Sequence, residues 1–145
     1  MTAVMIAPCG MNCGICIGHL REENACPGCR LMNATNRKYV KKCRLKLCDK
    51  RDGKYCLACI DFPCKKLAAL DKRYREKYGM SEIENLLFIK EYGIRKFIEK
   101  EQKRWKCRKC GQLMSCHRDE CLECGADKDQ TLKGSNAQKV KCLRA

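Results

Sequence analysis

Sixteen cysteines in 145 residues constrain this chain more than any other feature. Many of them stand in C-x2-C pairs, a spacing that lets one turn present two thiols to the same centre. The stretch PCGMNCGIC, Pro8 to Cys16, is denser still, with Cys9, Cys13 and Cys16 in C-x3-C-x2-C order. Without its cysteines the chain keeps roughly 49 apolar residues, a thin supply for a core of this size. Ten of the sixteen cysteines lie between Cys9 and Cys64, where large aliphatic side chains are sparse. That region needs cross-links in order to fold.

Disulfides and metal are the two ways to supply them, and compartment decides between these. The opening MTAVMIAPCG has no basic stretch before its short apolar run, which Pro8 ends, so no secretory signal is expected. No apolar run approaches the ~18 residues that a membrane span requires. The expectation is a cytoplasmic, non-membrane chain, in which cysteine pairs bind metal in preference to forming disulfides.

The clearest motif is Cys107-x2-Cys110-x10-Cys121-x2-Cys124. Two pairs supply four thiolates to a tetrahedral ion, and Gly111 and Gly125 permit the tight turn after each pair. The reading is a C-terminal zinc ribbon holding a structural Zn2+, since four protein ligands leave no open position. Cys116 and His117 lie between the pairs but are not needed for a complete set. His19 has weaker support as a ligand, and the isolated Cys142 reads as a free thiol.

The N-terminal cysteines, Cys9, Cys13, Cys16, Cys26, Cys29, Cys43, Cys48, Cys56, Cys59 and Cys64, suffice for two four-ligand centres with two left over. In a zinc partition, Cys13, Cys16, Cys26 and Cys29 form one site and Cys43, Cys48, Cys56 and Cys59 the other. In an iron–sulfur partition, Cys9/Cys13/Cys16 and Cys56/Cys59/Cys64 each donate three thiolates to a [4Fe–4S] cluster completed by a distant cysteine. Spacing leaves Zn2+ and [4Fe–4S] both open. A radical-enzyme reading of C-x3-C-x2-C fails, because the chain lacks the length and βα alternation of the barrel such chemistry uses.

Between the cysteine-rich ends the composition turns helical. CKKLAALDKRYREKY, Cys64 to Tyr78, brings Leu67, Leu70, Tyr74 and Tyr78 near helical spacing, with Gly79 to stop it. Ser81 and Glu84 form a capping-box signature for a second helix with Ile83, Leu86 and Leu87 on its apolar side and Gly93 at its end. A third helix spans about Ile94 to Arg104, with Ile94, Phe97 and Ile98 inward. The expected fold class is a small metal-stabilised protein, mainly α with irregular cysteine-rich loops and a C-terminal zinc ribbon. Its segments are a metal-binding module over 1–65, a helical layer over 66–104, the ribbon over 105–125 and a flexible basic tail over 126–145.

Taken together, CGMNCGIC, CPGC, CRLKLC, CLACIDFPCKKL, SEIENLLFIKEYGIRKF and the cysteine-paired ending resemble the cysteine-rich domain-of-unknown-function family 3795. The resemblance runs from about Cys9 to Gly125. It implies a metal-binding domain with no assigned reaction, and the anaerobic setting of such proteins lends weight to oxygen-sensitive clusters.

Lys+Arg number 32 against 17 Asp+Glu, a formal charge of +15. Three four-thiolate centres would reduce this to roughly +9, still basic. Nine basic residues fall between Arg37 and Lys54 and eight between Arg95 and Lys109, with Tyr39, Tyr55 and Trp105 near enough in sequence to offer stacking. Nucleic acid or an acidic protein is therefore the expected partner. No Ser/His/Asp set or phosphate-binding glycine loop is evident, so an enzyme is not the favoured reading. The expected role is a metal-dependent accessory or interaction protein, with iron–sulfur electron transfer and zinc-scaffolded nucleic-acid binding as alternatives.

Overall fold

The computed structural model describes residues 1–34 and 42–128. Tyr39, the basic residues Arg37, Lys38 and Lys41, Cys142 and the remainder of the tail from residue 129 lie outside the described residues.

Regular structure is helical. Helix α1, Ile17–Leu20, is a single turn; α2 spans Lys65–Tyr78 and α3 spans Glu82–Arg104. Short 3-10 turns punctuate the cysteine-rich segments at Ala3–Met5, Cys13–Ile15, Cys29–Ala34 and Cys56–Ala58. Extended pairing among the described residues is confined to three isolated antiparallel bridges, Ile6–Asn12, Lys106–Leu113 and Glu120–Asp127.

Helix α2 buries Leu67 and Asp71 and half-buries Leu70, Tyr74 and Tyr78, a stripe at i, i+3, i+4 and i+7. Gly79 ends it in the left-handed conformation, φ +62°, with its N–H returning to the Arg75 carbonyl. The chain then reverses through a polar hub. Asp71 accepts from the Ser81 hydroxyl at 2.6 Å and the Ile83 N–H at 3.0 Å, and pairs with Arg75 at 2.7 Å. Burial works against its charge, but these three donors outweigh it and hold the carboxyl below the ordinary aspartate range. Ser81 also caps α3, accepting from the Glu84 N–H at 3.0 Å. Glu84 does not close the capping box, because its carboxylate pairs with Arg75 instead, at 3.1 Å.

The stretch Glu82–Arg104 is broken at Gly93, whose φ of +83° and ψ of 162° separate two helical halves as the sequence suggests. The inward face differs from the expected one. Its buried residues are Glu82, Asn85, Leu86, Ile89, Phe97 and Glu101, whereas Leu87 is exposed. Three of these six are polar, and this matters because the face receives the N-terminal loop as well as α2. Asn85 donates to the Gly10 carbonyl at 3.0 Å, and Glu101 accepts from Asn12 Nδ2 at 3.0 Å. At Gly10, φ +90°, an added Cβ would stand 2.4 Å from the Glu82 carbonyl oxygen, so only glycine allows this approach.

The main core joins the segments that the sequence divides. Met5, Ala7, Cys9, Met11 and Ile15 from the first loop meet Cys56, Leu67, Leu86, Trp105 and Cys116 in one cluster. Smaller clusters gather Ile6, Ile89 and Phe97, and Cys107, Met114 and Cys121. Trp105 is a core residue at 1% exposure, and its indole N–H donates to Glu101 at 3.1 Å. It therefore offers no stacking face to a nucleic acid, contrary to the sequence expectation. Tyr55 is half-buried, with the Arg30 guanidinium 4.7 Å from its ring centre.

Candidate metal centre

Two backbone turns build the C-terminal site, and each repeats the other fourteen residues later. Cys107 N–H donates to the Gln112 carbonyl at 2.8 Å and Gly111 N–H to the Cys107 carbonyl at 2.9 Å. Cys121 N–H donates to Ala126 and Gly125 N–H to Cys121, at the same two distances. Gly111 and Gly125 both have positive φ, +80° and +65°, as the sequence reading requires. The bridges Lys106–Leu113 and Glu120–Asp127 close the turns from outside. The second turn reaches beyond Gly125, since Lys128 N–H donates to the Asp119 carbonyl at 2.7 Å.

These turns bring the Cys107, Cys110, Cys121 and Cys124 sulfurs within 4.8 Å of one another. Cys107 Sγ lies 3.7 Å from Cys124 Sγ, and Cys110 Sγ 3.6 Å from Cys121 Sγ. A tetrahedral ion with bonds of ~2.3 Å sets its sulfurs about 3.8 Å apart, so the four thiols are spaced for a single ion. Cys107 and Cys121 are buried against Met114, Cys124 is half-buried and Cys110 is exposed. The backbone N–H groups of Cys110 and Lys109 aim at the Cys107 sulfur and, with the neighbouring thiols, lower its pKa, while Cys110 beside it is raised by the same thiols. A thiol already inclined to ionise gives up its proton to a metal at little cost.

All the described cysteines are free thiols. Among the described residues, no second set of three metal-capable side chains has its ligand atoms within 4.8 Å. Of the expected N-terminal ligands, Cys9, Cys13 and Cys56 are buried, while Cys16, Cys26, Cys29, Cys43, Cys48, Cys59 and Cys64 are half-buried. Cys13 Sγ accepts from the Cys29 N–H at 3.4 Å, which links two pairs of the zinc partition. Cys56 is raised to about 11, chiefly by burial and then by Cys64, Cys48 and Cys59, with Arg51 opposing. Cys56, Cys59 and Cys64 are the iron–sulfur triplet, and Cys48, Cys56 and Cys59 belong to the second zinc site, so this neighbourhood is compatible with either partition. His19 Nδ1 lies 2.6 Å from the Cys26 carbonyl oxygen.

Cys116 and His117, set aside on sequence, occupy the interior seam between the C-terminal turns and the first loop. Cys116 N–H donates to the Ile15 carbonyl at 2.9 Å. His117 Nδ1 accepts from the Ile17 N–H at 3.4 Å and lies 3.2 Å from Cys116 Sγ. Its Nε2 lies 3.3 Å from the Tyr74 hydroxyl. Burial and Lys128 lower the histidine pKa, so the ring is neutral at pH 7. No local spacing advertises this meeting, because its members come from residues a hundred positions apart.

Comparison of the chain with family models, with curated proteins and with solved structures finds no match.

Proposed function

We propose that the four C-terminal thiols hold a structural Zn2+ and that the protein works as a metal-stabilised accessory or interaction protein. The observation that carries this reading is the sulfur spacing of 3.6 and 3.7 Å, which suits one tetrahedral ion. Thiolates of a cubane cluster attach to different irons and so stand farther apart than those sharing one ion. Four protein ligands also complete the shell, so the site supplies folding energy in preference to Lewis-acid chemistry.

Purification without oxygen, a visible spectrum and counts of zinc and iron test the reading. Zinc that is lost in Cys107→Ser supports it. Iron at the C-terminal site, or a metal content unchanged by that substitution, overturns it. The same spectrum tests iron–sulfur electron transfer through the N-terminal thiols, which requires a brown colour bleached by dithionite.

A second reading has its own observation. Arg95, Lys96, Lys100, Lys103, Lys106, Arg108 and Lys109 are all exposed along the second half of α3 and the first cysteine turn. Exposed basic residues gathered in one segment suit a polyanion such as RNA or DNA, held through phosphate contacts. Retention on RNA or DNA at low salt that falls steeply as salt rises supports it; no retention at low salt removes it.

A further inference from the structure

The break at Gly93 turns the second half of α3 back toward the first. In an unbroken helix Phe88 and Lys100 would stand about 18 Å apart along the axis. Here Lys100 Nζ lies 4.2 Å from the centre of the Phe88 ring. Phe97, also from the second half, lies 6.2 Å from Phe88, ring centre to ring centre. The same turn sets a second ring and a second lysine beside this pair. Phe88 and Tyr92 have ring centres 4.6 Å apart and planes inclined by 39°, and Lys96 Nζ lies 5.9 Å from the centre of Tyr92. Phe97 is fully buried, Phe88 is half-buried and Tyr92 is 46% exposed, so the rings step outward from core to surface. The Tyr92 hydroxyl donates to Glu91, which raises the phenol pKa and keeps the ring uncharged.

An exposed aromatic residue points to no partner by itself, and here charge makes the choice. Over 90–103 the exposed charged residues are Lys90, Arg95, Lys96, Lys100 and Lys103 against Glu91 and Glu99. The surface therefore suits an anionic partner that also has a flat apolar face to offer. An acidic peptide supplies the charge without the face. A duplex supplies phosphates but keeps its base faces stacked inside. A single strand supplies both.

We propose that Phe88, Tyr92, Lys96 and Lys100 form a docking site for single-stranded nucleic acid, with a base stacked on Tyr92 and the flanking phosphates held by the two lysines. The proposal rests on the polyanion reading of these basic residues and narrows it to unpaired strands. Tyr92 takes the stacking role that buried Trp105 does not fill. Stacking displaces Lys96 from the ring. That exposed cation–π contact is worth about two- to fivefold in affinity. A base on an aromatic ring is worth about 5- to 150-fold, and the displaced ammonium gains a phosphate. The exchange therefore favours the bound strand.

The test follows full-length protein by fluorescence anisotropy against labelled oligo-dT, oligo-U, a DNA duplex of equal length and polyglutamate, at low and then rising salt. Tyr92→Ala is expected to lose about 5- to 150-fold on the single strands at an unchanged salt slope, and less than about twofold on the duplex. Tyr92→Phe keeps the ring and should stay within about twofold of wild type. Lys96→Ala and Lys100→Ala should each lower the single-strand salt slope by about 0.7. A Tyr92→Ala loss on either strand supports the proposal, and the strand that loses more marks RNA or DNA as the source. If Tyr92→Ala does not fold, Tyr92→Leu decides, because it keeps apolar bulk without a ring. Wild-type affinity of the folded variant for both strands overturns the proposal, while salt-sensitive duplex binding leaves the polyanion reading standing. An equal loss on the duplex or on polyglutamate also overturns it. No binding of any probe at low salt removes both readings.

Discussion

Replacing Gly10 by alanine tests the contact on which the first cysteine loop depends. The new Cβ would stand 2.4 Å from the Glu82 carbonyl oxygen and 2.8 Å from Leu86 Cγ, and the backbone there has φ +90°. Neither neighbour yields easily, since one is helix backbone and the other a fully buried leucine. Forcing a side chain into that conformation costs about 1–3 kcal/mol. Overpacking adds about 1–3 kcal/mol. The stiffer unfolded chain returns about 0.4–1 kcal/mol. The net loss is about 1–6 kcal/mol, centred near 3, which for a chain of this length lowers Tm by roughly 10 °C at the centre of that range. Gly79→Ala is the control, because Gly79 also has positive φ, +62°, but nothing lies within 4 Å of the added carbon. It carries strain alone and should lose about 1 kcal/mol, roughly 3–4 °C. Thermal melts followed by circular dichroism on both variants read the difference. If Gly10→Ala melts within about 2 °C of Gly79→Ala, the close approach of the loop to α3 is refuted.

Three further perturbations address other parts of the molecule. Glu101→Leu leaves the Asn12 amide and the Trp105 indole N–H without their shared acceptor, and should cost roughly 2–5 kcal/mol with a red shift in the emission of the single tryptophan; unchanged emission and melting would sink this account. Asp71→Asn should destabilise by about 1–3 kcal/mol at neutral pH. Because the folded pKa of Asp71 is depressed, its contribution is present above the unfolded value near 3.9 and disappears as pH falls through the folded value. The gap between variant and wild type should therefore narrow in acid denaturation as pH falls below about 4, and a gap that does not change with pH contradicts the hub. Cys121→Ser should remove the same single equivalent of metal as Cys107→Ser, with no further loss in the double variant.

What could be read from the sequence was local. The four-thiol site was legible because its ligands sit inside two short repeats, each closed by its own glycine. Helix α2 and the Gly93 break were legible because period, cap and stop residue agree within a few positions. The inward face of α3 was not. Leu87 fits an apolar stripe as well as Leu86 does, and only the polar demands of the first loop select Asn85 and Glu101 for the interior. Trp105 reads as a stacking platform on sequence because nothing local marks Glu101 as the buried acceptor of its indole N–H. Cys116, His117 and Tyr74 meet through tertiary folding alone, and no spacing rule reaches across the chain to join them.

The tie between the first loop and the last described turns also bears on synthesis. Asn12 waits 89 residues for Glu101, and Ile17 waits 100 for His117. At about 5–20 residues per second, that is an interval of roughly 5–20 s during which Cys9, Cys13 and Cys16 are out of the ribosome without their native cover. Oxidation or capture of the wrong metal is most dangerous in this window, before the finished core exists. A cell making this protein would have to keep those nascent thiols reduced until the C-terminal turns had emerged.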